Sequence, residues 1–547
     1  MKRFVYGLAA SAVAASISLV GAAAQPFAAQ PAEAAATPPF TVARTIGEGP
    51  YPRLILRGAT VIDGAGAPPT GPVDIVIEND VIAEIRPVGA PGLPIPAEAR
   101  PALEGGIEID ASGQFVTPGF VNLHGHIHTP RTGQNVTPDY IFKLWLAHGV
   151  TTVREHGNSM GAQWTSDVAA ASEANTILAP RIYPFPVFRG WTSGSVDTPE
   201  AARRRIRQLK AEGAVGVKFF GAPEEILWAG IEEAKAQGLK TTMHHAQIDV
   251  AHANVLDTSS RGLGSMEHWY GLPEALFEGQ VLQDYPATYN YQNEQDRFEN
   301  AGKLWAQTTE PGSDHWRQVR DTLLFREFAL VPTFAIYVAS RDWMRARRAE
   351  WHDEYTSPSL WQFFKPDRNA HGSYWFDWGT EQEIAWRENY ERWMTFVNEY
   401  KNHGGLVGVG EDAGYIYSTY GFGYVTEMEM MREAGFHPLE VMMAATLNGA
   451  KILGVDDEVG SVQVGKKADL LILPENPLAN LKTLFATGHI KLNDAGKPVR
   501  VGGVGTVIKD GIVYDGEELR QSIKDHVKKE KAAANIPPGP MPIAENE

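Results

Sequence analysis

The 547-residue chain is far longer than one small domain requires, since domains average roughly 100 to 200 residues and barrels about 250. Its 43% apolar and 21% charged residues can form a sizeable core and exclude a disordered polymer. The formal charge of −17 disfavours nucleic-acid or anionic-lipid partners and favours a small molecule, and the absence of cysteine excludes disulfides and thiolate metal ligands.

Residues 1–24 have the three regions of a secretory signal peptide. Met1-Lys2-Arg3 is positively charged, an apolar run follows from Phe4 to Val20, and Ala22-Ala23-Ala24 supplies small residues. We expect cleavage after Ala24 and export to the periplasm or the medium; the alternative is an uncleaved membrane anchor. After cleavage we expect no membrane partner, because no later apolar stretch reaches the roughly 20 residues of a membrane span.

The remaining chain divides by composition. Residues 25–49 are rich in Ala and Pro and predict a flexible leader. Short β-branched segments separated by Gly and Pro occupy residues 50–114 and return in 456–520, which predicts one composite β-sandwich domain built from both segments. Residues 115–455 then form a central domain, and residues 521–547 a C-terminal tail.

Within the central domain, apolar strand-like runs alternate with helical stretches. This alternation is typical of the α/β class and predicts a (β/α)8 barrel of the TIM type. The eight predicted strands are Phe115–Leu123, Thr151–Arg154, Arg181–Pro184, Val215–Phe220, Lys240–His244, Ser265–Glu267, Leu330–Phe334 and Leu406–Gly410.

Residues 337–400 are much longer than an ordinary barrel connection and must have structure of their own. Seven of the fourteen tryptophans lie in this Trp-rich insertion: Trp343, Trp351, Trp361, Trp375, Trp378, Trp386 and Trp393. The insertion is either an aromatic lid over the pocket or the core of a helical subdomain or oligomer contact, so a homo-oligomer is possible. A polysaccharide-binding role is a further alternative for an exported protein.

The first predicted strand ends in alternating histidines. His124 and His126 are two residues apart, so on an extended strand both side chains point to the same side and can hold one metal ion. They stand at the carboxyl end of the strand, where barrel active sites form. The alternative is a pair of surface histidines that only make hydrogen bonds.

Later strand ends carry further candidate ligands, namely Lys218, His244-His245, His268 and Asp412. The order His-x-His, Lys, His, His, Asp resembles the metal-dependent amidohydrolase superfamily. The segments TPGFVNLHGH, GVTTVREHG, EAGFHPLEVMMAATLNGAKILG and VGSVQVGKKADLLIL resemble its imidazolonepropionase-like and prolidase-like branch over nearly all of the mature chain. The chain departs from that pattern at Asn122, where Asp is usual, and at Glu155-His156.

The resemblance implies a ligand set. His124 and His126 would bind the more buried metal, and His245 and His268 the second; His245 is preferred over His244 because it precedes Ala246, as in the family's His-Ala pairing. Lys218 would bridge the metals if carboxylated by carbon dioxide, because an ammonium repels a cation whereas a carbamate supplies anionic oxygens. The alternative for Lys218 is an ordinary ion pair with a glutamate.

Asp412 would be both a ligand and the catalytic base, accepting a proton from the attacking water and returning it to the leaving amine. Glu411 points to the opposite face and is predicted to pack or form a salt bridge. Possible substrate contacts are His128, Tyr337 and Arg154. For a substrate carboxylate, Arg189 and Arg341 are alternatives to Arg154.

The predicted function is hydrolysis of a C–N bond, amide or peptide, in a small substrate such as a dipeptide or an N-acyl amino acid. The cofactor would be one or two divalent metal ions, zinc first. A deaminase or a lactone or ester hydrolase is the enzymatic alternative on the same site. A metal-free scaffold or binding protein is the non-enzymatic alternative.

Overall fold

The structure is a computed structural model that describes residues 37–190, 194–367 and 371–541. The predicted signal peptide, residues 1–24, lies outside the described residues, as do residues 25–36 of the predicted leader and 542–547 of the predicted tail. Among the described residues, none of the helices combines the length and the apolar character that a membrane span requires.

In chain order, the strands of the described residues are β1 (Leu54–Val61), β2 (Thr70–Glu78), β3 (Val81–Pro87), β4 (Ile107–Asp110), β5 (Phe115–Pro118), β6 (Phe120–Gly125), β7 (Val150–Glu155), β8 (Arg181–Pro184), β9 (Gly216–Phe219), β10 (Lys240–Met243), β11 (Ser265–Glu267), β12 (Ala329–Val331), β13 (Leu406–Val407), β14 (Leu470–Leu473), β15 (His489–Leu492), β16 (Pro498–Val501), β17 (Thr506–Lys509) and β18 (Ile512–Asp515). The α-helices are α1 (Pro138–Ala147), α2 (Ala162–Glu173), α3 (Pro199–Ala211), α4 (Glu224–Ala236), α5 (Val255–Ser260), α6 (Leu272–Ala275), α7 (Glu294–Ala301), α8 (Asp314–Phe325), α9 (Val338–Arg347), α10 (His352–Tyr355), α11 (Pro358–Phe364), α12 (Thr380–Asn402), α13 (Phe422–Glu433), α14 (Pro438–Ala445), α15 (Leu447–Leu453) and α16 (Gly516–Ala533). Short 3-10 helices are Ala97–Ala99, Trp305–Gln307, Phe334–Tyr337 and Leu481–Leu484.

The N- and C-terminal segments share one mixed sheet of eight strands, in the order β18-β17-β14-β5-β1-β2-β3 with β4 paired to β1. The predicted β-sandwich is not confirmed, since the described strands of these segments form this sheet and a separate hairpin, β15–β16. The alternating side chains of β14 show why no second sheet is needed to cover this one. Leu470 and Ile472 pack in the core of the sheet itself, whereas Leu471 and Leu473 pack in the main core of the protein.

The eight central strands form two arcs of parallel strands, β6-β7-β8 and β9-β10-β11-β12-β13. These ladders do not close into one ring within the described residues. A few backbone hydrogen bonds cross each gap. Val187 and Lys218 form an isolated parallel bridge across one, and Leu123 N donates to Val409 O and Asp412 N to His124 O, both at 2.9 Å, across the other. Because the strands of each arc are parallel, their carboxyl ends, which carry the predicted site residues, lie at the same edge of the arc.

The first predicted strand is in fact two strands, which Gly119 separates. β5 belongs to the eight-stranded sheet and β6 to the first arc. Gly119 N donates to Asp469 O at 2.8 Å, and a Cβ at this position would stand 2.1 Å from Thr151 Oγ1, so only glycine fits the junction. The chain thereby changes sheet immediately before the His-x-His segment.

The predicted flexibility of the leader is corrected for residues 37–49, and most of the predicted C-terminal tail that the structure describes is helical. Residues 37–49 make backbone hydrogen bonds to the body, from Arg44 N to Thr176 O at 2.9 Å and between Glu48 and Val513 at 2.9 and 2.8 Å. The predicted tail begins inside α16, which continues to Ala533 because its buried positions recur at helical spacing and Lys531 Nζ binds Asp353 Oδ1 at 2.8 Å.

The Trp-rich insertion is helical and mostly packed. Trp386 and Trp393 are fully buried on α12, and the ring of Tyr337 stacks on Trp386 with centroids 5.4 Å apart. Trp361 and Trp375 are also buried. These contacts favour the interpretation as a helical subdomain core over an aromatic lid.

Candidate metal centre

Polar side chains converge at the carboxyl ends of the two arcs. This is the face on which the active sites of barrel enzymes form. The side chains come from or directly follow six strands: His124 and His126 from β6, His156 from β7, Lys218 from β9, His244 from β10, Glu267 and His268 from β11, and Asp412 from β13.

The carboxylate of Asp412 is the centre of the cluster. Its Oδ1 lies 3.4 Å from His124 Nε2 and 3.2 Å from His126 Nε2, and its Oδ2 lies 3.6 Å from His268 Nε2. His124 and His268 are buried, whereas the side chains of His126 and Asp412 remain 14% and 13% exposed. The site therefore opens to solvent on the side of His126 and Asp412.

The hydrogen bonds of the imidazole rings assign their tautomers. His124 Nδ1 donates to Glu267 Oε2 at 2.8 Å, and His126 Nδ1 donates to Gly157 O at 3.2 Å, since neither acceptor carries a proton to give. In the neutral rings, the lone pairs of both Nε2 atoms then face Asp412.

His268 has the same arrangement. Its Nδ1 lies 2.6 Å from Thr333 Oγ1, and that hydroxyl donates to Pro332 O at 2.6 Å, so the imidazole is the donor of the first bond. Burial lowers the pKa of His268 to about 3, which keeps the ring neutral with its Nε2 lone pair toward Asp412. When all three rings are neutral, three imidazole lone pairs thus face one carboxylate, and against the effect of burial the negative charge of Asp412 raises the pKa of His126.

Three residues of this site have left-handed backbone conformations, with φ of +58° at His268, +53° at Thr333 and +48° at Asp412. Such conformations cost about 1–3 kcal/mol each in non-glycine residues and persist only where surrounding contacts hold them. Here Asp412 N donates to His124 O at 2.9 Å and His268 N donates to Val331 O at 3.0 Å. The backbone is thereby fixed at the points where the ligand side chains leave it.

Glu267 supports the cluster from below. It is fully buried and accepts hydrogen bonds from His124, from the Thr242 hydroxyl and, at 2.7 Å, from Arg154 Nη2. Burial alone would raise its pKa, but the positive charges of Arg154 and Lys218 and the bond from His124 hold the pKa well below its usual range. Glu267 is therefore ionised beneath the histidines.

The prediction of Arg154 as a substrate contact is corrected by its bonds. Arg154 is 1% exposed and also donates to Leu123 O at 2.7 Å and to Ser265 Oγ at 3.2 Å. Its guanidinium is thus committed to the interior, where it holds Glu267 and two strands together.

Lys218 is buried at the cluster. Its Nζ lies 3.2 Å from His156 Nδ1, and within the described residues it forms no ion pair within 4.0 Å of a carboxylate. Burial lowers the pKa of Lys218 to about 8. His156 Nε2 is buried without a hydrogen-bond partner and stands 3.8 Å from Glu267 Oε1.

The structure places His244, and not His245, against the cluster. The ring of His244 lies 4.5 Å from that of His268, centroid to centroid. His245 is buried on the opposite side, where its Nε2 bonds the Thr258 hydroxyl at 2.9 Å and its ring packs against Gly271. Consecutive residues of an extended segment face opposite ways, so His244, and not the predicted His245, is the candidate ligand at this strand end.

The other predicted substrate contacts lie near the opening. His128 is buried, with Nδ1 2.6 Å from Tyr420 Oη and Nε2 3.1 Å from Tyr415 Oη, so both of its nitrogens are already engaged. Tyr337 is buried with its ring 5.7 Å from that of His268. We therefore interpret His128 as a residue that orients two tyrosines beside the candidate metal ligands.

The remaining candidates are committed elsewhere. Arg341 pairs with Glu433 at 2.8 Å on the surface, and Arg189 lies 3.9 Å from Asp197. Glu411 is buried and accepts hydrogen bonds from Gly421 N at 2.7 Å, Tyr424 N at 3.0 Å and Asn122 Nδ2 at 3.1 Å. Burial raises the pKa of Glu411 to about 7.

Sequence reasoning did not assign Glu267, His156 or Thr333 to the site. Two charged residues in otherwise apolar strands were the available signal: Glu267 in Ser265–Glu267 and Arg154 in Val150–Glu155. A buried strand tolerates such charges only when they pair, so the two together mark a functional end of the sheet.

The donor set fits a divalent cation. Two groups, His124 with His268 and Asp412, and His124 with His156 and Glu267, each place their ligand atoms within 4.8 Å of one another. Lone pairs that converge on a carboxylate repel one another unless a cation lies between them, and His156 Nε2 is buried without a partner. Imidazole nitrogens and carboxylate oxygens are the ligands of zinc and related metals.

Comparison with known proteins agrees with this chemistry. The profile of the Amidohydrolase family matches residues 115–283 and 393–499. A dihydroorotase from Anaeromyxobacter dehalogenans (strain 2CP-C) is 28% identical over 242 residues, which is 42% of this chain and 50% of that protein. The alignment thus spans about half the length of this dihydroorotase and of a second one, from Anaeromyxobacter sp. (strain K).

Solved structures share the fold. A Xaa-Pro dipeptidase with bound methionine has a TM-score of 0.55 at 17% identity, over 85% of this chain and 100% of the other. A bottromycin amidohydrolase has a TM-score of 0.59 at 18% identity, over 90% and 92% of the two chains. The matched segments cover half of the sequence, and the chain belongs to the amidohydrolase family, whose enzymes act on carbon–nitrogen bonds.

Proposed function

We propose that this protein is a metal-dependent hydrolase that cleaves the C–N bond of an amide in a small substrate, such as a dipeptide or an N-acyl amino acid. The observation that carries the proposal is the convergence of the Nε2 atoms of His124, His126 and His268 on the Asp412 carboxylate at 3.2–3.6 Å. The family supplies the bond type, and the similarity in fold to a Xaa-Pro dipeptidase supports the substrate class.

The proposal includes the architecture. Residues 115–455 would act as one (β/α)8 barrel, with the backbone hydrogen bonds between the arcs completing the ring, and residues 50–114 and 456–520 would form the composite domain beside it. Zinc is the first choice of metal because the ligand atoms are imidazole nitrogens and carboxylate oxygens.

A carboxylated Lys218 is part of the proposal. In the described residues the lysine forms no ion pair, and its depressed pKa provides free amine that can react with carbon dioxide. The carbamate would supply anionic oxygens beside His156, where an ammonium is unfavourable near a bound cation. His244 would complete the second metal position together with His268.

The chain's own residues would divide the reaction between them. A bound divalent cation supplies Lewis acidity that polarises the carbonyl and acidifies water. Asp412, exposed at the opening, takes the proton of the attacking water and delivers it to the leaving nitrogen. Glu267 and Thr333 hold the histidines in the tautomers described above.

The location of the protein is also a proposal. The charged, apolar and small-residue pattern of residues 1–24 supports export to the periplasm or the medium after cleavage. Sequencing of the N-terminus of the protein recovered from the producing cell tests it, with Gln25 as the expected first residue.

The proposed chemistry is tested by elemental analysis beside an activity screen. The purified protein, His126→Ala and Lys218→Ala are analysed for metal and assayed with dipeptides and N-acyl amino acids, and released amine and ammonia are measured separately. Arg207→Gln, a change at an exposed ion pair on α3, is the matched control.

About two metals per chain, reduced in both site variants and retained in the control, with release of amine, would support the proposal. Ammonia released instead of an amine would assign a deaminase. An absence of metal in the parent protein would leave the scaffold interpretation.

A further inference from the structure

The connection between β11 and β12 contains an arginine whose acidic neighbour on the same helix, Glu294, bonds His371 instead. Arg297 lies on α7, and within the described residues it forms no ion pair. Its Nε donates to Gln247 Oε1 at 2.7 Å. Gln247 follows His244 by three residues, so the guanidinium is tied to the strand end that carries a candidate metal ligand.

Aromatic rings hold the guanidinium in place. Its Cζ lies 4.7 Å from the ring centroid of Tyr291 and 4.9 Å from that of Phe298. The Phe298 ring lies 6.3 Å from that of Tyr337, which in turn lies 5.7 Å from His268. A stacked guanidinium with one edge bound by Gln247 presents its other edge to a planar acceptor.

Two further hydroxyl donors without an acceptor lie in the same region. The hydroxyl of Tyr289 is buried without a hydrogen-bond partner in the described residues, and that of Tyr270, which is also buried, accepts from Tyr337 and has no acceptor for its own proton. The Tyr270 ring lies 5.5 Å from that of His244, so this tyrosine connects the arginine to the metal centre. Burial raises the pKa of both tyrosines, and the positive charge of Arg297 opposes that rise in each, as expected for neighbouring groups.

The combination of a guanidinium with two hydroxyls supplies donors without a matching acceptor. Buried donors in native proteins are nearly always satisfied, so an unpaired set beside a reaction centre indicates a ligand. A carboxylate fits it because its two oxygens accept a bidentate pair from arginine and additional bonds from hydroxyls. The three arginines considered from the sequence, Arg154, Arg189 and Arg341, all have acidic partners.

We propose that Arg297, together with the hydroxyls of Tyr270 and Tyr289, binds a carboxylate of the substrate. This inference rests on the proposed function. It restricts the substrates to amides that carry a free carboxylate, such as dipeptides and N-acyl amino acids, and excludes the corresponding carboxamides and uncharged amides.

The test separates binding from turnover. A dipeptide analogue with the scissile amide replaced by a methylene-amine cannot be hydrolysed, and it is prepared as the free acid and as the carboxamide. Calorimetry gives the dissociation constants of both for the holoenzyme, for Arg297→Gln and for Arg297→Lys, with Arg207→Gln as the control. The kcat and KM of the hydrolysable acid and carboxamide are measured in parallel.

We expect the parent protein and the control to bind the free acid about 10- to 100-fold more tightly than the carboxamide. Arg297→Gln should lose that preference and retain its metal content, and Arg297→Lys should keep part of it. A parent protein without the preference, or a glutamine variant that keeps it, would overturn the inference, as would failure of the analogue to bind.

The two proposals fail in different ways. A carboxylate preference that depends on Arg297, without hydrolysis of either amide, would support the carboxylate site and reject the proposed hydrolase. Hydrolysis without any acid preference would support the hydrolase and reject the role of Arg297.

Discussion

Glu267 Oε2 accepts a hydrogen bond from His124 Nδ1 at 2.8 Å while Glu267 Oε1 accepts one from Arg154 at 2.7 Å. One carboxylate therefore both fixes the ring of a candidate metal ligand and neutralises a buried guanidinium. The two functions cannot be separated by removing the glutamate, because the arginine would stay behind without a counter-charge.

The first prediction concerns this glutamate. Glu267→Gln should lower metal affinity by about 10- to 100-fold, because the imidazole loses the partner that orients it. It should also lower the free energy of unfolding by about 3–5 kcal/mol, because Arg154 stays buried without a counter-charge. Metal titration and urea denaturation measure the two effects.

Glu232→Gln is the control for that change, since Glu232 forms an ion pair with Arg261 in which both side chains are about half exposed. It should alter stability by less than about 1 kcal/mol. Equal effects of the two substitutions would contradict the role given to Glu267.

The second prediction compares neighbouring histidines. His244→Ala should reduce metal content, because this ring faces His268. His245→Ala should retain the metal and lose at least about 1 kcal/mol of stability, because a buried bond to Thr258 and ring packing disappear. Elemental analysis and thermal unfolding distinguish them, and the reverse pattern would restore His245 as the ligand.

The third prediction addresses the carbamate. Protein prepared with 13C-bicarbonate should show a carbamate resonance by NMR that is absent from Lys218→Ala. Lys509 is a matched control because it is also fully buried, with its ammonium bound to Ser172 O at 2.7 Å and paired with Asp510. A resonance that persists in Lys218→Ala would exclude this residue as the modified lysine.

The fourth prediction concerns Glu427, which is fully buried on α13 and accepts from Ala335 N at 2.7 Å. Burial raises its pKa to about 8 in the folded protein, above the ordinary value of 4.5. The folded state therefore holds the proton more tightly than the unfolded state does. The contribution of Glu427 to the free energy of unfolding is complete below about pH 4.5. Between pH 4.5 and 8 it falls by about 1.4 kcal/mol per pH unit, and above pH 8 it is lost.

Urea denaturation between pH 5 and 8.5 tests this, with Glu427→Gln expected to flatten that part of the stability profile. Glu433→Gln, on the exposed side of the same helix, should leave the profile unchanged. A glutamine variant at position 427 with the parent's pH dependence would show that another group is responsible.

Much of the strand pattern could be predicted from the sequence, because buried parallel strands are short apolar runs and each of the eight predicted runs contains or overlaps an observed strand. The arrangement of the strands that were predicted as a sandwich could not be derived from the sequence. Residues far away in the chain decide what packs against each face of a strand such as β14. Gly119 is an example of the same limit. Its clash with Thr151 is visible only in three dimensions.

The site divides in a similar way. His124, His126 and Asp412 could be found because ligating side chains at strand ends imply a shared face. The choice between His244 and His245 depends on which of two consecutive side chains faces the cluster. A shift of one residue reverses that orientation, and the sequence alone does not determine it. Arg297 could not be found, because a helix inside a long connection gives no strand-end signal.

The pairing of β5 with β14 places Pro118 beside Leu470. This ladder joins residues on the order of 350 positions apart, a closure that is slow compared with local contacts. β6, which carries His124, begins directly after β5. We therefore expect His124 and His126 to reach their final positions only after β14 has been synthesised. A product truncated before β14 would keep β5 as an open sheet edge, and such an edge favours aggregation over a partly active enzyme.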